Sequence, residues 1–252
     1  MKRSNIEAVD PRWSGFYKVG GAAALLVVLV ALLDIVMAML SGEAVENSRV
    51  TIVEWYRLFQ NNPLSAFSNL GLFNIIYQAL AIPLYLALYH LHRRTYQAYA
   101  ALAFVLFCVG STVYFSTNTV FSLFGLSRQY AVAGTEAQKS ALIAAGQAAL
   151  AQGTDLTPSV FLGFFLTEAA GILMAIVVLR GGIFGKLTAW AGILAMGTML
   201  IFNTIAAFLP ENFDVAMMLG MFGGLLSMAY YILLARRLFQ LGRIASKQEN
   251  KK

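Results

Sequence analysis

Six apolar runs dominate the chain, and each reaches the roughly 20 helical residues that cross a hydrocarbon core of about 30 Å. They extend over Tyr17 to Leu40, Leu64 to Tyr89, Tyr99 to Phe124, Pro158 to Leu179, Leu187 to Leu209 and Val215 to Leu238. Backbone N–H and C=O groups find no water inside a bilayer, so runs of this length fold as helices that satisfy their own hydrogen bonds. The pattern predicts an all-α polytopic membrane protein, a single six-helix transmembrane domain over residues 1–252 with two amphipathic helices in its outer loops. Charged residues make up 12% of the chain and hydrophobic ones 59%, about half the charge usual in a soluble domain, which excludes an ordinary soluble enzyme. The single cysteine, Cys108, excludes a disulfide scaffold and a thiolate metal site.

Lys and Arg sort to one side of these runs. With the N-terminus inside, fourteen fall on inner segments, including Arg12, Lys18, Arg93, Arg94, Arg180, Lys186, Arg236, Arg237 and Arg243, and only Arg49, Arg57, Arg128 and Lys139 fall outside. The bias predicts an inner (plasma) membrane protein with both termini cytoplasmic. It also explains the net charge of +6 as a basic inner rim against the lipid bilayer, so no nucleic-acid partner is expected. The first run exceeds a signal-peptide core and carries Asp34, which reads as an uncleaved helix.

Residues 1–16 form a short cytoplasmic segment and 240–252 a basic cytoplasmic tail. The outer loop 42–63 carries an interfacial helix from Val50 to Gln60, with Trp55 and Tyr56 as anchors and Asn61-Asn62-Pro63 as its stop. The loop 125–157 carries an amphipathic helix from Thr135 to Gln152, opened by a Thr135-x-x-Gln138 capping box; Leu142, Ile143, Ala149 and Leu150 share its apolar face, and Gly146 on that face weakens it. This helix is a surface connector or a lid. Thr157-Pro158 starts the fourth span sharply. Pro83 inside the second span predicts a kink. Leu70-Gly71-x-Phe73 recurs as Leu219-Gly220-x-Phe222, too short a match to support an inverted repeat.

Intramembrane charge is costly, roughly 2.5 to 3.5 kcal/mol at mid-membrane, and so marks function. Of the 30 charged residues, 28 sort to the loops and the flanks of the runs, which leaves Asp34 and Glu168 deep within them, and no Lys or Arg stands at their depth. Asp34 shares a stripe with Ala24, Ala31 and Ala38, and Glu168 neighbours Ala169, Ala170 and Gly171. Asn74 and Gln78 are four apart on one face, with Tyr77 beside them. Ser111, Asn118 and Ser122 fall on one stripe of the third span, Tyr114 precedes Asn118 by four, and Asn203 and Thr204 lie on the fifth. Asp34, Asn74, Gln78, Tyr114, Asn118, Glu168 and Asn203 therefore outline a polar pocket towards the outer side, although amides and hydroxyls also glue membrane helices together. His90-x-His92 reads as a headgroup or topology feature, since alternate residues do not share a helix face and nothing completes a metal shell. No GxSxG, HExxH, Walker or glycine-fingerprint context is present, so neither a cofactor nor a metal is expected.

The stretch Tyr114-Phe115-Ser116-Thr117-Asn118-Thr119-Val120-Phe121-Ser122, then Gln129-Tyr130, then Thr135-Glu136-Ala137-Gln138 before an Ala/Leu-rich helix, resembles the bacterial and archaeal membrane proteins grouped as domain of unknown function 4386. Asn62-Pro63-Leu64, Tyr85-x-x-Leu88 and Arg236-Arg237-Leu238-Phe239-x-Leu241-Gly242 are similar as well. The resemblance spans roughly residues 15 to 243. It implies a six-helix inner-membrane protein and supplies no activity, cofactor or catalytic residue.

The leading functional reading is a binding or transport protein whose pocket accepts a small cation or protonated amine. One alternative is an intramembrane enzyme acting on lipid, with Glu168 as general acid or base and Asn118 or Tyr114 orienting substrate. The other is a structural or accessory protein, and the small-residue helix faces also suit an oligomer.

Overall fold

Ten α-helices and two single 3₁₀ turns make up the computed structural model, which describes residues 10–40, 50–153, 155 and 157–249. The helices are α1 (Ser14–Leu40), α2 (Ile52–Asn61), α3 (Pro63–Asn69), α4 (Leu72–His92), α5 (Gln97–Thr117), α6 (Val120–Val132), α7 (Glu136–Gly153), α8 (Pro158–Gly181), α9 (Lys186–Phe208) and α10 (Phe213–Glu249). Lys2, Arg3 and Glu7 of the N-terminal segment, Glu43, Glu46 and Arg49 of the first loop, and Lys251 and Lys252 lie outside the described residues. Six stretches, built on α1, α4, α5, α8, α9 and α10, are long and apolar enough to cross a membrane, and the chain is a multi-pass membrane protein.

These six helices close a ring: α1 packs on α4, α4 on α5, α5 on α8, α8 on α9, α9 on α10, and α10 returns to α1. The ring is tight at the end that holds both described termini. A Cβ on Gly20 of α1 would come within 2.7 Å of the Ala87 Cβ of α4, the close backbone approach that small residues permit in lipid. Lys18 Nζ donates to Ser246 Oγ at 3.1 Å, tying α1 to the far end of α10. Residues 240–249 therefore continue α10 rather than forming a separate tail.

The same end corrects the reading of the two histidines. His90 and His92 are buried, not placed among headgroups. Their ring nitrogens serve opposite sides, as alternate helix positions require. His90 Nδ1 meets the Tyr17 hydroxyl at 2.9 Å beneath a Trp13 ring stacked at 3.7 Å, whereas His92 Nδ1 meets the Leu88 carbonyl at 2.9 Å. Arg93 completes the lock, pairing with Asp10 at 3.4 Å and lying over Trp13.

Two predicted spans are broken. The second stops after Asn69 and restarts at Leu72, because Gly71 takes φ +94°, a conformation open to glycine and strained for other residues. The third stops at Thr117, where Asn118 leaves helical geometry and its Oδ1 accepts the Val120 N–H at 3.0 Å. Hydropathy runs smoothly through both breaks, but the turn chemistry of Asn69-Leu70-Gly71 and Thr117-Asn118-Thr119 prevails over it. The second break also moves Ser122 onto the exposed face of α6, away from buried Ser111, so the predicted stripe does not form. Pro83, by contrast, is accommodated within a continuous α4.

Helices α2, α3, α6 and α7 cover the opposite end of the ring with their own core of Ile52, Tyr56, Phe59, Leu70, Val120 and Leu123. Helix α2 opens on a capping box in which Thr51 Oγ1 accepts from Glu54 N and Glu54 Oε2 accepts from Thr51 N at 2.7 Å. That backbone bond, with the Thr51 hydroxyl, holds the Glu54 carboxyl below its usual range. Trp55 and Tyr56 are fully buried in this cap rather than anchored in an interface. The Tyr56 hydroxyl donates to Leu142 O on α7 at 2.7 Å, and burial pushes it up to about 12. Helix α7 begins on the predicted Thr135–Gln138 box, Gln138 N donating to Thr135 Oγ1 at 3.2 Å. A Cβ on Gly146 would collide with the Tyr56 hydroxyl, so this glycine is where α7 meets α2.

Candidate functional site

Below the cap the ring widens around a cavity of about 1450 Å³. Its wall draws on α1 (Val27, Ala31, Asp34), α4 (Asn74, Tyr77, Gln78), α8 (Thr167, Glu168), α9 (Met199, Asn203) and α10 (Met228, Tyr231). The cap adds Trp55, Gln147 and Leu150 to this wall. Five of the seven sequence-predicted site residues, Asp34, Asn74, Gln78, Glu168 and Asn203, thus meet on one surface. Among the described residues that line it, three are carboxylic acids, Asp34, Asp155 and Glu168, and none is Lys, Arg or His.

Each acid is held differently. Asp34, half-buried on α1, accepts from the Ser68 hydroxyl at 3.2 Å, so the short helix α3 positions it. Glu168 Oε1 accepts from Asn203 Nδ2, whose second contact is the Met199 carbonyl at 3.2 Å. Glu168 Oε2 is buried without a hydrogen-bond partner among the described residues, as is Gln78 Oε1.

The third acid, Asp155, belongs to the outer loop 125–157. It lies between α7 and α8, and its carboxylate is bound from two sides: Oδ1 accepts from the Tyr114 hydroxyl at 2.6 Å and Oδ2 from Asn74 Nδ2 at 2.7 Å. Burial lifts this carboxyl above the ordinary aspartate range, against hydrogen bonds from Tyr114, Asn74 and Asn118 that pull it down.

Tyr114 and Asn118, the remaining two predicted residues, do not line the cavity. They stand behind Asp155 and bind both helix breaks. The Tyr114 hydroxyl also reaches Gly71 O at 3.3 Å, and Asn118 Nδ2 donates to Leu70 O at 3.1 Å. Thr119 fastens the same node to the end of α7 through Gly153 O, with its N–H at 2.9 Å and its hydroxyl at 3.0 Å. No sequence signal distinguished Asp155 from its loop neighbours; its importance comes from the two breaks that converge on it.

The arrangement can hold a positive or hydrogen-bond-donating group among carboxylate and amide oxygens, with thioether and aromatic side chains beside it. No group of three metal-ligating side chains occurs among the described residues. No family model, curated protein or solved structure matches the chain.

Proposed function

We propose that the protein binds a small cationic ligand in this cavity and carries it or senses it across the membrane. The observation behind the reading is a largely apolar intramembrane cavity with three acids and no basic residue among its described lining. Desolvated acids without a counter-charge favour a cation that brings one. Binding sites of polytopic proteins also tend to lie beside broken helices whose freed backbone groups face a cavity. Here the break at Gly71 borders the cavity, with Ser68, Asn69, Phe73 and Asn74 on its wall, while Tyr114 and Asn118 take the freed carbonyls of Gly71 and Leu70. The same reading takes the chain as one of the domain of unknown function 4386 proteins that its sequence resembles, with the tight, basic end of the ring facing the cytoplasm of an inner membrane.

A thermal-shift screen of organic and inorganic cations on purified protein tests this. Wild type gains stability with at least one cation in proportion to occupancy. Asp34→Asn and Glu168→Gln each weaken that gain. Equal gains in wild type and both variants for every stabilising cation would overturn the proposal.

A further inference from the structure

Six buried side-chain polar atoms lack a hydrogen-bond partner among the described residues, and three of them belong to the cavity wall: Glu168 Oε2, Gln78 Oε1 and, in the cap, Trp55 Nε1. Leaving such a group unmade costs more than a made bond contributes, so orphans gathered on one cavity mark what the cavity is shaped to receive. Glu168 and Gln78 are 6% and 2% exposed, and both present an acceptor. Beside them Tyr77 donates its proton to the Tyr231 hydroxyl at 2.6 Å, which leaves the Tyr77 oxygen free to accept. Tyr85, another wall residue, stacks on Phe107 with ring centroids 4.0 Å apart.

We propose that Glu168, Gln78 and Tyr77 form a head-group subsite for a primary or secondary alkylammonium, its N–H bonds directed to Glu168 Oε2 and Gln78 Oε1. The alkyl part runs along the methionine side of the wall, Met196, Met199, Met217 and Met228, which is soft and adapts to shape. This assignment rests on reading the cavity as a cation site and narrows that site to one chemistry.

Three alternatives fit less well. A hard metal ion takes six or more oxygens and would draw most of them from water here, since the head-group region offers Glu168 Oε2, Gln78 Oε1 and the Tyr77 hydroxyl. A quaternary ammonium gains from aromatic faces but has no N–H, and would leave both acceptors orphaned. Asp155 is a poorer head-group partner than Glu168, since each of its oxygens already accepts a bond, from Tyr114 and Asn74, whereas Glu168 Oε2 accepts none among the described residues.

The test titrates hexylammonium, hexyltrimethylammonium, hexanol, Na⁺ and K⁺ into the full chain in lipid nanodiscs, reading tryptophan fluorescence, to which Trp55 on the wall contributes, and thermal stability. Hexylammonium binds wild type about tenfold or more tightly than either the quaternary ion or the alcohol, because only it satisfies the two acceptors. Glu168→Gln and Gln78→Leu each remove most of that preference. Asp34→Asn keeps it even where overall affinity falls. The ratio in wild type needs no variant, so a folding defect in one variant leaves the test decisive. Equal binding of the primary and quaternary ions, with both weakened by the acid variants, overturns the subsite and leaves the cation cavity standing. Stronger stabilisation by Na⁺ or K⁺ than by hexylammonium likewise overturns the subsite. Binding of no cation overturns both.

Discussion

Asp155 stands outside the spans, yet it joins the loop before α8 to α4 through Asn74 and to α5 through Tyr114. Because burial raises its carboxyl, the folded protein keeps this proton at pH values where the unfolded chain, with an aspartate near 3.9, has released it. Its contribution is then greatest at low pH and is lost as pH rises through the window between the unfolded and the folded value. Asp155→Asn abolishes that titration while other groups cancel in the comparison. The difference in melting temperature, wild type minus Asp155→Asn, should therefore fall as pH is raised from about 4 towards neutrality. A difference that grows with pH would contradict the burial argument. Asp34 and Glu168 were legible from sequence because a charge in an apolar run stands out. Asp155 was not, because an acid in a polar loop looks the same whether exposed or buried, and only the fold brings Tyr114 and Asn74 to it.

At the scale of the element, the breaks in α3–α4 and α5–α6 decide where the cavity's polar groups point. Gly71 takes φ +94°, and a Cβ there would come within 2.7 Å of both the Asp155 carboxylate and the Tyr114 hydroxyl. Gly71→Ala thus combines backbone strain with a collision, and should destabilise by about 1–3 kcal/mol. Gly125 in the interior of α6 has nothing near its Cβ position, so Gly125→Ala should be neutral or stabilise by up to about 1 kcal/mol through helix propensity. Thermal unfolding of both variants in the same detergent measures the contrast, and equal effects would deny the break its role. Leu219-Gly220-x-Phe222 repeats the local pattern of the Gly71 break, yet Gly220 lies within continuous α10. The tetrapeptide is therefore insufficient; Ser68 and Asn69 before Gly71, and Asn118 facing it, supply the rest. Helix identity was readable from hydropathy, while helix interruption depended on turn residues and on a partner more than forty positions away.

For the whole molecule, the sequence carried the number of spans but not their order around a ring, since neighbours such as α1 and α10 are remote in the chain and meet through pairs such as Gly21 with Phe239 and Lys18 with Ser246, which no local pattern announces. The ring separates two chemically different ends. Of the thirteen Lys and Arg residues described, Arg12, Lys18, Arg93, Arg94, Arg180, Lys186, Arg236, Arg237, Arg243 and Lys247 crowd the tight end, leaving Arg57, Arg128 and Lys139 to the capped end. Basic residues flanking spans are retained in the cytoplasm, so the capped end and its cavity should face outward. Single cysteines in a Cys108→Ala background test this directly. Gly134 is exposed between α6 and α7 with open space at its Cβ, and Lys247 is exposed near the end of α10. Gly134→Cys should react with a membrane-impermeant maleimide on intact cells, and Lys247→Cys only after permeabilisation. The reverse pattern would invert the protein and turn the acid-lined cavity towards the cytoplasm, where its ligand would have to be drawn from the cell interior.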